Sequence, residues 1–209
     1  MSFSQIELFL TRLGAVAGLT TLAIALVAVF LSLRREPGRE EPGARILLRG
    51  PALILVTSVF FTLGGALWRP LPLRLQSQLQ AMAVCAGSLS LFGGLALYLW
   101  GLLSLRRLFA PSSAFGVRLH ANHALVTSGP YAYIRHPMYL GVMAAALGSL
   151  LLYRTWTTLL FAVVMFGLVL RAGREEGVLA AEFGLEWETY ASGIPKWLPR
   201  LRRGRRGSS

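Results

Sequence analysis

Long apolar runs limit what this chain can fold into more tightly than any other feature of its sequence. A membrane-crossing helix needs about 20 apolar residues, with roughly 17 as a practical minimum. Five stretches of the 209 residues meet that length, over approximately Ile6–Leu33, Pro51–Trp68, Leu79–Leu105, Pro137–Tyr153 and Thr155–Leu170. The last two are the shortest and are separated only by a tight turn at Arg154, so they read as one helical hairpin. A chain that is 55% hydrophobic and 14% charged has more apolar surface than a soluble domain of its size needs. The predicted fold is therefore an all-α, polytopic membrane bundle with about five transmembrane helices.

The net charge of +12 would suggest a nucleic-acid partner in a soluble protein, but here the arginines sit at the ends of the apolar runs. Arg34 to Arg49, Arg106 to Arg135, and Arg171 onward lie on one side, whereas only Arg12, Arg69, Arg74 and Arg154 lie on the other. Cations accumulate in short cytoplasmic loops, so the N-terminus is expected outside and the C-terminus in the cytoplasm; if the chain is prokaryotic, the membrane is the plasma (inner) membrane. The run from Leu13 to Leu33 is too long for the apolar part of a cleavable signal and reads as a retained span. The chain divides into a three-helix membrane region (1–105), a region bearing the chemistry (106–199) and a basic tail (200–209). The tail has no aromatic side chain among its arginines to stack on bases, so its expected partner is anionic lipid headgroups and not nucleic acid. The twice-repeated Glu-Pro-Gly at 36–43 reads as a turn-rich linker. Gly14 and Gly18 form a pair that would admit a close helix neighbour. Cys85, the single cysteine, excludes an internal disulfide or multi-cysteine metal site and reads as a small apolar residue.

Two segments carry chemistry. The loop from Arg106 to Arg135 is about 30 residues long, where bundle connections usually take about 2 to 8, and its C-terminal part with the adjoining His136 holds all three histidines. Pro137 suits the first turn of the following helix, which places Arg135 and His136 beside unpaired backbone N–H groups that favour an anionic ligand. The plainer alternative makes Arg135 a membrane anchor and Tyr131, Tyr133 and Tyr139 an interfacial aromatic belt. The second segment, Arg171 to Tyr190, holds most of the acids. On one continuous helix Arg171 and Glu175 lie a turn apart, while Glu176, Phe183, Trp187 and Tyr190 fall on another side; the alternative here is an amphipathic helix on the membrane surface.

These segments resemble the signature of the isoprenylcysteine carboxyl methyltransferases and their relatives among phospholipid methyltransferases. The matching elements are His123-Ala-Leu-Val-Thr-Ser-Gly-Pro-Tyr131, Arg135-His-Pro-Met-Tyr-Leu-Gly141, Glu175-Glu176, Phe183-Gly184, Tyr190, Ile194-Pro195 and Leu198-Pro199. The resemblance implies a cytoplasmic cofactor pocket built from the loop before the fourth helix and the C-terminal helix, holding S-adenosyl-L-methionine, with the acceptor entering from the bilayer. By the same resemblance His123, Leu125, Val126, Gly129, Pro130, Tyr131, Arg135, His136, Tyr139 and Glu176 belong to donor binding, and Arg171 and Glu175 to catalysis, with no metal. Trp187 stands where a Tyr is common in the family. The implied acceptor is a lipophilic or prenylated molecule, most simply a carboxylate. It is already ionised and would be oriented by Arg171, with Glu175 holding Arg171 and Glu176 countering the donor's positive charge. Phospholipid or small-molecule N- or S-methylation is the alternative. An NADPH-dependent sterol-reductase-like enzyme fits less well, because those proteins carry Asn where Pro137 stands. The resemblance calls for no soluble-type glycine fingerprint, and the chain has no GxGxxG after a strand.

Overall fold

The structure, a computed structural model, describes residues 2–33, 50–105 and 125–199. His123, the Glu-Pro-Gly linker and the basic tail lie outside the described residues. Every helix or strand assigned among those residues is helical: α1 (Phe3–Leu33), α2 (Gly50–Ala66), α3 (Ser77–Leu105), a 3-10 turn (Gly129–Ala132), α4 (Pro137–Tyr153), α5 (Trp156–Phe166), α6 (Leu168–Phe183) and α7 (Leu185–Gly193). Three stretches are long and apolar enough to cross a membrane, namely Phe3–Leu31, Ser77–Leu105 and Trp156–Phe183, the last being α5 and α6 taken together. The helix that carries the final apolar run does not end with that run near Leu170. Gly167 keeps a right-handed conformation (φ −59°, ψ −19°), so the charged segment leaves on the same helix that carries the apolar one.

The hairpin between α4 and α5 forms as its sequence predicts. Arg154 turns the chain in the left-handed region (φ 52°, ψ 46°). Thr155 then opens α5 with a capping box: the Thr158 amide donates to Thr155 Oγ1 at 3.3 Å, and the Thr155 amide to Thr158 Oγ1 at 3.2 Å, which satisfies two otherwise orphaned donors. The segment after α2 braces this turn, since the Leu71 amide donates to the Arg154 carbonyl at 2.7 Å and the Trp156 amide to the Arg69 carbonyl at 3.1 Å. Glu7 of α1 pairs with Arg154 and accepts from Gln80 Nε2 of α3 at 2.7 Å. The starts of α1 and α3 and the ends of α2 and α4 thus meet at one end of the bundle.

Helix α4 is the centre of the molecule. At 17 residues it is only about 25 Å long, short for a bilayer core, but Gly141, Met143, Ala145, Ala146, Gly148 and Leu152 are buried against neighbouring helices. Its seam with α3 is lined by glycines seven residues apart, with Gly87 facing Gly148, Gly94 facing Gly141 and Gly101 facing Met138. A seven-residue period keeps one face of each helix on the other, and absent side chains let the backbones approach closely. A methyl group on Gly94 would stand 2.5 Å from the Gly141 carbonyl oxygen, and one on Gly141 would stand 2.7 Å from that of Gly94. Of the Gly14/Gly18 pair, only Gly14 meets a neighbour, Leu91 and Tyr153; Gly18 faces open space. Cys85 is exposed on α3.

Because the backbones on both sides of the seam have nowhere to go, Gly94→Ala should destabilise the fold by about 1–3 kcal/mol. Gly93→Ala, at a position with nothing within 4 Å, should be neutral. Thermal unfolding of the two variants in the same detergent checks the contrast; equal transition temperatures would contradict the seam.

Candidate active site

The site lies at the end of the bundle opposite the Arg154 turn, where the chain reaches α4. Gly129 opens the 3-10 turn with φ +63°, a left-handed conformation that glycine adopts without steric cost. Pro130 follows at its second position and is almost fully buried. Ahead of them Leu125 and Val126 are half-buried in irregular chain. The turn presents Tyr131, whose carbonyl accepts a hydrogen bond from the Tyr190 hydroxyl of α7 at 2.8 Å. Burial pushes the Tyr190 phenol up to about 12 against the opposing pull of Arg135, so it remains a donor at neutral pH. Burial raises the Tyr131 phenol further still.

Pro137 begins α4, and His136 precedes it as the N-cap residue. The backbone around this entrance is clasped by the C-terminal segment: the Arg135 amide donates to the Pro195 carbonyl at 3.0 Å, and the His136 amide to the Lys196 carbonyl at 3.3 Å. Side chains complete the clasp. Glu176 of α6 binds Arg135 Nη1 at 3.2 Å and His136 Nε2 at 3.0 Å through one carboxylate oxygen, and Lys196 Nζ at 3.0 Å through the other. Three segments far apart in sequence therefore converge on one carboxylate.

His136 is 6% exposed. Burial lowers its pKa, opposed by the negative charges of Glu175 and Glu176, so the ring is neutral at pH 7. An ionised carboxylate only accepts hydrogen bonds; Nε2 therefore carries the proton towards Glu176, and Nδ1 keeps a lone pair. The ring stacks on Tyr139 (centroids 5.5 Å apart, 4° between planes) and meets Trp197 at 5.5 Å and 37°. On the next turn of α4 the Tyr139 hydroxyl donates to Glu175 Oε2 at 2.6 Å and accepts from Arg171 Nε at 3.1 Å. The Arg171 guanidinium lies 5.8 Å from the Tyr139 ring centre, a cation–π arrangement. The sequence places Arg171 and Glu175 side by side on one helix; the structure adds a tyrosine hydroxyl that links them from the helix opposite.

Nine of the ten expected donor-binding residues and both expected catalytic ones fall within the described chain, and the charged and aromatic ones among them gather here. Lys196 and Trp197 escaped the sequence reading, although they lie between Pro195 and Pro199 in the last matching element. One helix does not carry all the aromatic residues of the second segment. Gly184 takes φ 50° and ψ −121°, which ends α6 after Phe183 and turns Trp187 and Tyr190 onto α7. There Trp187 is buried, with the Arg135 guanidinium 5.9 Å from its ring centre. Among the described residues no cluster of histidine, cysteine or acidic side chains suits a metal ion.

Residues 82–186, half of the chain, match a family model described as phospholipid methyltransferase. The chain is 40% identical over 82 residues to the protein-S-isoprenylcysteine O-methyltransferase of Schizosaccharomyces pombe, covering 38% of this chain and 35% of that protein. It is 33% identical over 85 residues to protein-S-isoprenylcysteine O-methyltransferase B of Arabidopsis thaliana, covering 40% of this chain and 43% of that protein. A third relative is the cobalt-zinc-cadmium resistance protein CzcN of Cupriavidus metallidurans, 37% identical over 84 residues, with 38% of each chain covered. The chain thus matches less than half the length of these curated relatives.

The lowered His136 pKa gives a pH prediction. The folded state disfavours the imidazolium that an unfolded chain forms near pH 6.5. The stability that the neutral ring contributes is thus complete above that pH and is lost as pH falls through the lower folded value. The transition temperature should fall between pH 7.5 and 5.5, and His136→Gln, which cannot titrate, should flatten that slope. An unchanged slope in the variant would show that His136 is not the group responsible.

Proposed function

We propose that this chain, which belongs to the phospholipid methyltransferase family, transfers a methyl group from S-adenosylmethionine to a membrane-associated acceptor, most simply a carboxylate of isoprenylcysteine type. The observation that carries this reading is the convergence of Arg135, His136, Glu176 and Lys196, which joins the two matching segments into one site. The names of the Schizosaccharomyces and Arabidopsis relatives support the choice of acceptor. In this reading the bundle crosses the membrane five times, α2 and α4 being the short spans, and the site faces the cytoplasm.

The donor set suits S-adenosylmethionine, which when bound supplies a methyl group on a sulfonium centre. Arg135 Nε is buried and has no acceptor among the described residues. A buried donor left unpaired costs about 1–3 kcal/mol, and a carboxylate oxygen of the donor's amino-acid moiety would satisfy it. Arg135 and Lys196 together outweigh the single charge of Glu176, so the cluster keeps a net positive charge that favours such an anion. Both Glu176 oxygens are engaged by protein groups, which makes this residue the organiser of the cluster. His136 offers its Nδ1 lone pair, while Leu125, Val126, Gly129, Pro130 and Tyr131 lead up to it along the chain.

Arg171 orients the acceptor. Tyr139, itself bonded to Glu175, holds its guanidinium from one side, and a planar guanidinium matches a carboxylate with two parallel hydrogen bonds. An isoprenylcysteine carboxylate is ionised at neutral pH, so no base is needed. The chain's task is alignment and exclusion of water. A phospholipid amine is the second reading, favoured by the description of the family model. An amine must lose a proton, and Glu175, through Tyr139, is the nearest acceptor for it.

Incubation with labelled donor and a panel of prenylcysteine, phospholipid and thiol acceptors tests the activity directly. Arg171→Ala should reduce turnover at least 100-fold while S-adenosylhomocysteine still binds, and Arg171→Lys should not restore it, because an ammonium lacks the paired donors. Arg174→Ala, an exposed neighbour, should remain active. Full activity in Arg171→Ala would remove that residue from the reaction.

A further inference from the structure

At the end of the bundle away from the site, a cavity of about 550 Å³ opens between the start of α1 and the α4–α5 turn. Its volume falls in the range of about 300–1,000 Å³ typical of small-molecule sites. Leu8, Ala15 and Leu152 give it an apolar wall, Trp68 and Tyr153 an aromatic one, and Arg12 stands on its lining. None of these residues contributes to the site described above.

The charges around the cavity do not balance. Glu7 and Arg154 pair with each other, and Gln80 takes the second Glu7 oxygen at 2.7 Å. Arg12 is exposed, and among the described residues it has no ion pair or hydrogen bond. One positive charge is left over.

Depth makes that surplus significant. The 31 residues of α1 extend about 46 Å, some 16 Å more than a hydrocarbon core of about 30 Å. Arg12 lies about 13 Å along the helix from Phe3, so a centred α1 puts its Cα roughly 5 Å inside the hydrocarbon boundary. An arginine at that level faces a cavity or an anion in preference to lipid tails. Its guanidinium reaches the headgroup layer, where phosphodiesters are the available anions.

We propose that this cavity binds one membrane phospholipid of net negative charge. Its phosphate pairs with Arg12, and its chains lie along the apolar wall between α1 and α4. The Glu7–Arg154 pair is already neutral and adds nothing for a zwitterionic headgroup's cation to meet, so an anionic lipid is preferred. Such a lipid would brace the α4–α5 hairpin from the face where the protein itself leaves a gap.

Trp68 on the cavity wall provides the readout. Phosphatidylglycerol with brominated chains is titrated into the detergent-solubilised full chain, and the Trp68 signal is taken as the difference between the wild type and Trp68→Phe. Saturable quenching by phosphatidylglycerol is expected, with phosphatidylcholine at the same concentration markedly weaker. Arg12→Gln should raise the half-saturating concentration about tenfold, while Arg12→Lys stays close to wild type. Circular dichroism checks that each variant is folded; should Arg12→Gln fail to fold, the comparison of the two lipids on the wild type decides. Equal quenching by both lipids, or an unchanged titration in folded Arg12→Gln, would overturn the proposal. Displacement of the lipid by millimolar inorganic phosphate would also overturn it, in favour of a free-anion site.

Discussion

Helices α3 and α4 approach until backbone meets backbone, and the rest of the molecule is arranged around that contact. No side chain on Gly94 or Gly141 cushions it, so α4 has little freedom to slide or rotate against α3. One consequence is that a helix too short to span comfortably by itself becomes the buried axis of the bundle. Another is that both of its ends have fixed positions. The Arg154 turn is held at one end by Glu7 and the chain after α2, and the Arg135-His136 entrance is held at the other. In a bilayer, where lipid tails are as apolar as leucine, close packing of this kind takes the place that hydrophobic burial has in water.

From that fixed entrance the site is assembled by electrostatics and stacking. Glu176 receives Arg135, His136 and Lys196; Tyr139 receives the His136 ring on its face and Arg171 at its hydroxyl. Both sets of contacts draw α6 and the Pro195–Trp197 segment onto the start of α4. The continuity of α5 with α6 through Gly167 matters here, because it carries the acidic residues out of the apolar region on a stiff support. The break at Gly184 matters equally, since it turns the chain so that Trp187 packs by Arg135 and Tyr190 reaches the turn before α4.

Much of this was legible in the sequence. Apolar length located the helices, and the Arg154 turn followed from the shortness of the last two runs. The motif residues from Leu125 to Tyr139 and from Arg171 to Glu176 were recognisable as belonging together. Pattern alone failed where the information is in conformation or in long-range pairing. Gly184 gives no hint in its surroundings that it takes a positive φ, so the sequence pattern places Trp187 and Tyr190 on a continuation of α6. Lys196 is a lone lysine in an otherwise arginine-based chain, and only its pair with Glu176 and the backbone bonds from Arg135 and His136 to Pro195 and Lys196 show that it closes the site. The role of Tyr139 between Arg171 and Glu175 was equally hidden, because it comes from a different helix. The glycine spacing of seven was visible in the sequence, but its meaning required both helices.

The account's central claim is that the segment leading into α4 and the segment from Arg171 to Trp197 form a single binding site. Hydrogen–deuterium exchange with and without saturating S-adenosylhomocysteine tests it most directly. The account predicts slowed exchange in peptides from both segments together, over residues 125–141 and 171–197, with little change around the Arg154 turn. Protection confined to one of the two segments, or found only elsewhere in the chain, would contradict it.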